Sequence, residues 1–199
     1  MNTNHVLQRA DYATMATWIA PRARVLDLGC GDGRLMRALQ DELDVTGYGV
    51  EIDDANVAAS MHNGIHVLQS DLEAGLSLFT DQSFDTVILS ATLQAMRHTR
   101  AILEEMARVG REGIVSFPNF GFKDNRAQVA KGRMPVSTEL PYEWHDTPNI
   151  HLCTMDDFED LARSIGLTIL ARLAFTGNEL VEIDPNLNGA LAVYRFRKG

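Results

Sequence analysis

The sequence predicts an α/β fold: a mostly parallel sheet with helices on both faces, closed by an antiparallel pair of strands. Three observations carry this expectation. Short apolar runs alternate with helical patterns in the order β-α-β-α-β-α-β-α-β as far as Pro118, and such alternation requires crossover helices over a parallel sheet. The first run, Val25 to Leu28, enters a glycine-rich turn, Gly29-Cys30-Gly31-Asp32-Gly33, and a helical pattern follows from Arg34 to Leu39. Near the end, Leu167 to Phe175 and Ala190 to Phe196 alternate as two antiparallel strands do.

The 199 residues suit one domain, 1–199, with room for a full core. A formal charge of −9 argues against nucleic acid as a general partner, because phosphate binding relies on clustered Lys and Arg. The chain has neither a long uninterrupted apolar segment nor a basic-then-apolar start. No membrane association and a cytoplasmic location are therefore the expectation. Cys30 and Cys153 form neither a disulfide framework nor a zinc spacing, and no metal site is expected. Cys30 is either a reactive thiol near a helix start or a small residue tolerated between two glycines.

In chain order, Asn2 to Ala20 reads as a helix ended by Pro21, either a lid over a pocket or a helix packed on the sheet. Val45 to Ile52 reads as the second strand, with Asp53-Asp54 capping the next helix. Gly64 to Gln69 is the third strand, followed by Ser70-Asp71-Leu72. Ser83 to Ser90 is the clearest buried strand. The helix after Ala91-Thr92 is interrupted near His98-Thr99, and Gly113 to Phe117 is the fifth strand, stopped by Pro118. From Asn119 to His151 the chain is irregular, apart from a short helix at Asp124 to Lys131. Such an excursion inside a compact domain is usually functional or mobile. Asp156 to Ile165 is helical with Gly166 as its stop. Thr176 to Asn188 reads as a loop, and His62 and His66 read as structural.

The chemistry concentrates at the carboxyl ends of the strands, where open α/β sheets bind ligands. A dinucleotide loop has the spacing G-x-G-x-x-G. Here the spacing is G-x-G-x-G, Asp27 precedes it and Asp32 lies within it. Negative charge would repel a pyrophosphate and attract an amino group, such as that of S-adenosylmethionine (SAM). A nicotinamide enzyme remains a further reading on topology alone. Glu51 falls about 20 residues beyond the loop, the spacing at which an acid accepts from ribose hydroxyls. Ile52 either lies against adenine or belongs to the core. Asp71 is either a turn cap or an acceptor for the adenine amine, with the Leu72 N–H free for a ring nitrogen. Ser90 ends its strand on the ligand side and is a better candidate than Asp85.

Asp27 to Gly33, Glu51 and Asp71 together resemble a class I SAM-dependent methyltransferase core, which implies a Rossmann-like fold binding SAM or S-adenosylhomocysteine. The implied cofactor residues are Asp27, Gly29, Cys30, Gly31, Gly33, Glu51, Ile52, Asp71, Leu72 and Ser90, with no catalytic residue assigned. A finer resemblance covers nearly the whole chain. Val25 to Gly33, Ser116-Phe117-Pro118-Asn119-Phe120-Gly121, Gly132-Arg133-Met134-Pro135-Val136 and Pro141 to Cys153 are similar to the methionine biosynthesis protein MetW family. That resemblance implies an accessory partner of homoserine O-acyltransferase (MetX) in a hetero-complex. The chain has no G-x-S-x-G nucleophile elbow of its own. It departs from the family pattern at Phe122-Lys123-Asp124-Asn125, where an aromatic and basic run is expected. Arg133, Tyr142 and Trp144 are candidate interface anchors. The alternative is an active methyltransferase on a small acceptor, with His145 or His151 as base.

Overall fold

The structure, a computed structural model, describes residues 3–199. Eight strands form one sheet: β1 (Arg24–Leu28), β2 (Thr46–Glu51), β3 (Val67–Gln69), β4 (Phe84–Ser90), β5 (Gly110–Pro118), β6 (Leu167–Thr176), β7 (Glu179–Leu180) and β8 (Leu191–Lys198). Their order is β3-β2-β1-β4-β5-β8-β6-β7. The first five run parallel, and β8 pairs antiparallel with both β5 and β6. The expected closing pair is therefore present. Strand order reverses between β1 and β4, which opens a crevice at their carboxyl ends.

Among the described residues seven α-helices accompany the sheet: α1 (Ala10–Thr17), α2 (Arg34–Leu43), α3 (Asp54–His62), α4 (Thr99–Val109), α5 (Lys123–Ala130), α6 (Met155–Ser164) and the short α7 (Pro185–Asn188). Side-chain alternation along each strand divides the core in two. On one face, Leu26, Leu28, Leu89, Phe117 and Tyr194 pack with Leu103 and Met106 of α4 and Phe158 of α6. On the other, Val25, Ile88, Ile114 and Val193 pack with Met15 of α1 and Met36 and Leu39 of α2. Both faces of β8 are buried through Tyr194, as its nearly continuous apolar run requires of an interior strand. β6 alternates between half-buried and exposed along much of its length, as suits a strand nearer the edge. Among the described residues no helix is long and apolar enough to cross a membrane.

Three expectations are corrected. The N-terminal helix is broken: a 3-10 segment at Thr3–Gln8 precedes α1, and extended backbone at Arg9 (φ −71°, ψ 125°) separates them. Asn2 of that expectation lies outside the described residues. The third strand begins at Val67, because the N–H groups of Gly64 and Ile65 bond back to Met61 and Ser60 carbonyls of α3. Thr176 to Asn188 is not a plain loop, since it contains β7 and α7. A tight turn at Gly177 (φ +59°) lets Glu179–Leu180 fold back onto Phe175 and Thr176. The irregular excursion carries α5 within a residue of its expected place. Between α5 and α6, from Lys131 to Thr154, there is no further helix or strand.

Candidate functional site

Strand periodicity assembles the site. Asp27 shares the side of β1 on which Val25 meets α1 and α2, and Ser90 likewise follows Ile88 on β4. On β2, Val50 belongs to the opposite face, so Glu51 points to the same side as Asp27. The parallel registers Asp27 to Gly49 and Leu28 to Leu89 bring all three residues to one end of the sheet. A cavity of about 330 Å³ lies there, lined by Arg9, Tyr12, Asp27, Gly29, Asp32 and Ser90 among others.

The glycine loop is held from behind. Gly29 and Cys30 N–H groups donate to the Val50 carbonyl at 2.8 and 3.1 Å, and the Gly31 N–H donates to Glu51 Oε2 at 2.8 Å. From α3, the Ser60 hydroxyl donates to the Gly31 carbonyl at 2.9 Å, and Asn63 Nδ2 donates to the Asp32 carbonyl at 2.9 Å. Gly29 has φ +67°, and a Cβ there would meet Thr92 Oγ1 at 2.7 Å. Gly31 also has positive φ (+56°), but a Cβ there would meet nothing within 4 Å. Open space over a bare, positive-φ backbone is room for a ligand to approach the main chain.

Asp27 is 2% exposed, and among the described residues no hydrogen bond reaches its carboxylate. Burial, reinforced by the charge of Glu51, pushes its pKa up to about 7. A buried carboxylate without a partner is costly unless a cation or donor completes it. Glu51 is placed differently. Its Oε1 accepts from the N–H groups of Ile52 (2.8 Å) and Asp53 (3.0 Å), while Oε2 accepts from Gly31. It thus ties the glycine loop to the end of β2 and has about one of its four acceptor positions left. Ser90 Oγ lies 3.1 Å from Ser116 Oγ, which also accepts from the Ala91 N–H. Ser116 is a fully buried support residue that the sequence reading passed over.

The remaining candidates fall around this centre. Cys30 packs its thiol towards Gly49 and Ser60, 3.7 Å from Ser60 Oγ, and burial raises its pKa to about 12. A thiol so held is a packing residue rather than a nucleophile. Ile52 is 59% exposed at the end of β2, which removes the core alternative. Asp71 Oδ1 accepts from the Glu73 N–H at 2.9 Å and caps a 3-10 turn over Leu72–Ala74. The Leu72 N–H makes no hydrogen bond among the described residues. Asp85 sits at the opposite end of the sheet and accepts from the Arg24 N–H. His145 and His151 are exposed, and neither lines the cavity.

Arg9 and Tyr12 had no individual signal in the sequence beyond the lid alternative. Arg9 pairs bidentately with the buried Asp11, and its guanidinium lies 4.0 Å above the Tyr12 ring. Arg9, paired with Asp11, thus lines the same cavity as the Asp27 carboxylate, as does Arg34, paired with Asp32.

A family model described as "Methionine biosynthesis protein MetW" matches residues 9–196. The chain is 39% identical to the bifunctional methionine biosynthesis protein MetXA/MetW of Rhodopirellula baltica, over 87% of this chain and 30% of that protein. It therefore spans about 30% of that relative's length. A SAM-dependent methyltransferase from Archaeoglobus fulgidus superposes with a TM-score of 0.71 at 15% identity, covering 99% of this chain and 95% of that one. Magnesium protoporphyrin IX methyltransferase from Synechocystis, solved with bound S-adenosylhomocysteine, gives a TM-score of 0.67 at 17% identity, covering 99% and 86%. The fold is thus the Rossmann-like one of SAM-dependent methyltransferases, and the chain belongs to the MetW family of methionine biosynthesis proteins.

Proposed function

We propose that this chain binds SAM or S-adenosylhomocysteine at the Asp27 cavity and acts as an accessory partner of a homoserine O-acyltransferase. The observation that carries the cofactor reading is the unpartnered, buried Asp27 carboxylate beneath the open backbone of Gly31. Asp27 would take the ammonium of the methionine moiety, and Arg9, which lines the same cavity, would face its carboxylate. Ser90, fixed by Ser116, adds a hydroxyl on the same side. Glu51 would accept from the ribose with its remaining position, and Ile52 would cover adenine. Asp71 would accept the adenine amine, and the Leu72 N–H would donate to a ring nitrogen. When bound, SAM would supply an activated methyl group.

The fusion of MetXA and MetW in one relative supports partnership with the acyltransferase, because linked modules work at high mutual concentration. The chain also offers a surface for it. In the excursion, Tyr142, Trp144 and Arg133 are exposed, Trp144 by 72%. Aromatic and Arg side chains are the usual interface anchors. The acyl chemistry would remain with the partner. Cofactor could regulate it only by binding the free and complexed forms with different affinity.

The test is homoserine acylation by the matching acyltransferase, alone and with this chain, each with and without SAM. A rate raised by the chain is the expected result, and dependence on SAM would make the cavity a sensor. No change in rate, together with no complex on a sizing column, would overturn the accessory reading.

A further inference from the structure

A second cavity, of about 620 Å³, lies between the start of α4 and α6 and shares no lining residue with the first. Its lining is largely apolar, with Leu93, Cys153, Phe158 and Leu161 and the exposed Ala101 at its edge. Its rim is basic, built from Arg97, His98, Arg100 and His151, a local concentration in a chain of net charge −9. The acids that also line it are engaged. Glu104 Oε1 lies 3.7 Å from Arg100 Nη1, and Asp157 accepts from the Thr154 N–H and hydroxyl. The two rim imidazoles are engaged as well: His98 Nδ1 lies 2.6 Å from Glu73 Oε2, and His151 Nε2 lies 3.3 Å from the Arg97 carbonyl.

Arg97 differs. Among the described residues its guanidinium makes no hydrogen bond or ion pair. The first turn of α4, Thr99 to Ala101, lines the same cavity without a side-chain cap or an acidic residue of its own; Glu73 accepts from the Arg97 N–H just ahead of it, and the N–H groups of the turn itself are left without a side-chain partner among the described residues. Apolar walls with a few converging polar groups are the usual form of a small-molecule site, and 620 Å³ is within its size range. A cation would be repelled by Arg97 and the positive end of α4, while a neutral apolar molecule would gain nothing from either.

We propose that the α4/α6 cavity binds a small amphipathic anion, a carboxylate carried on a short apolar body, with Arg97 and the first turn of α4 on the carboxylate. The site is independent of the Asp27 cavity and does not rest on the cofactor reading.

Hexanoate, hexylamine and 1-hexanol, each titrated into the full chain and followed by its amide NMR resonances, would test this. Hexanoate is expected to shift Ala101 and Leu161 and leave Gly31 unmoved, and to bind at least about tenfold more tightly than the amine or the alcohol. Arg97→Ala should weaken hexanoate about tenfold, and Ala101→Trp, which fills the cavity from an exposed helix position, should remove binding. Amide resonances outside the cavity report whether each variant stays folded. Equal binding of the three probes, or hexanoate binding unaffected by either folded variant, would overturn the proposal.

Discussion

The two cavities lie on opposite sides of the same sheet end and are built on opposite plans. The Asp27 cavity is small and polar, centred on a buried carboxylate under bare glycine backbone. The α4/α6 cavity is larger and apolar, with cations only at its rim. One carries its charge inside, where desolvation magnifies it. The other carries charge at the edge, where water moderates it. Removing a charge should therefore have a large effect in the first and a moderate one in the second.

The largest effect is expected for Asp27→Asn. A buried ion pair loses ~3–5 kcal/mol when one partner is removed, so SAM affinity in calorimetry should fall at least ~100-fold. The same change should stabilise the free protein at alkaline pH. The folded-state pKa of Asp27 is raised from 3.8 to about 7, so the folded chain holds a proton that the unfolded chain releases. Its contribution is fully present below the unfolded value and is lost as pH rises to about 7. Denaturant unfolding of the free protein at pH 5 and pH 8 should show that loss, and Asp27→Asn should abolish it. An unchanged pH profile would mean that Asp27 is not the group responsible.

Next in size is Glu51→Ala. Three N–H groups lose their acceptor, one of them in the glycine loop. Stability should drop by ~2–4 kcal/mol, since each buried donor left unpaired costs ~1–3 kcal/mol in part offset by water. Cofactor affinity should fall by ~1–3 kcal/mol. If affinity falls without loss of stability, Glu51 touches the ribose but does not brace the loop. A third change leaves the cavities alone: Trp144→Ala should alter stability by no more than ~0.5 kcal/mol while weakening the acyltransferase complex by ~2 kcal/mol or more. Sizing and titration of the complex would check it. The smallest effect is expected from Cys30→Ala, about 1 kcal/mol of packing with SAM affinity within about twofold, because its thiol packs on Ser60 and Gly49.

Legibility followed locality. The Gly29 to Gly33 turn, the acid at Asp27 and the acid ending the second strand were readable, because each requirement is met by neighbours in the chain. Asp71 was readable only as two alternatives, and its cap on the Leu72–Ala74 turn is the one the structure displays. Ser116 was missed because a serine within an apolar strand carries no signal until Ser90 is set beside it across the β4–β5 ladder. The break at Arg9 was missed because the apolar spacing continues through it. What stops the helix there is a conformation of one residue, and Arg9 then meets both Asp11 and Tyr12.

By itself the sequence determined the alternation of strands and helices through the fifth strand, the parallel half of the sheet, the closing antiparallel strands and the place of the glycine loop. These depend on periodicity and turn chemistry, which act over a few residues. Only the tertiary structure decided that β8 lies between β5 and β6, since that position depends on which strand can bury both faces. It also decided that Asp27 has no partner among the described residues, and that residues 93–104 and 151–161 line a basic-rimmed cavity. Burial and charge at a point sum contributions from segments far apart in the chain, and no local pattern contains that sum.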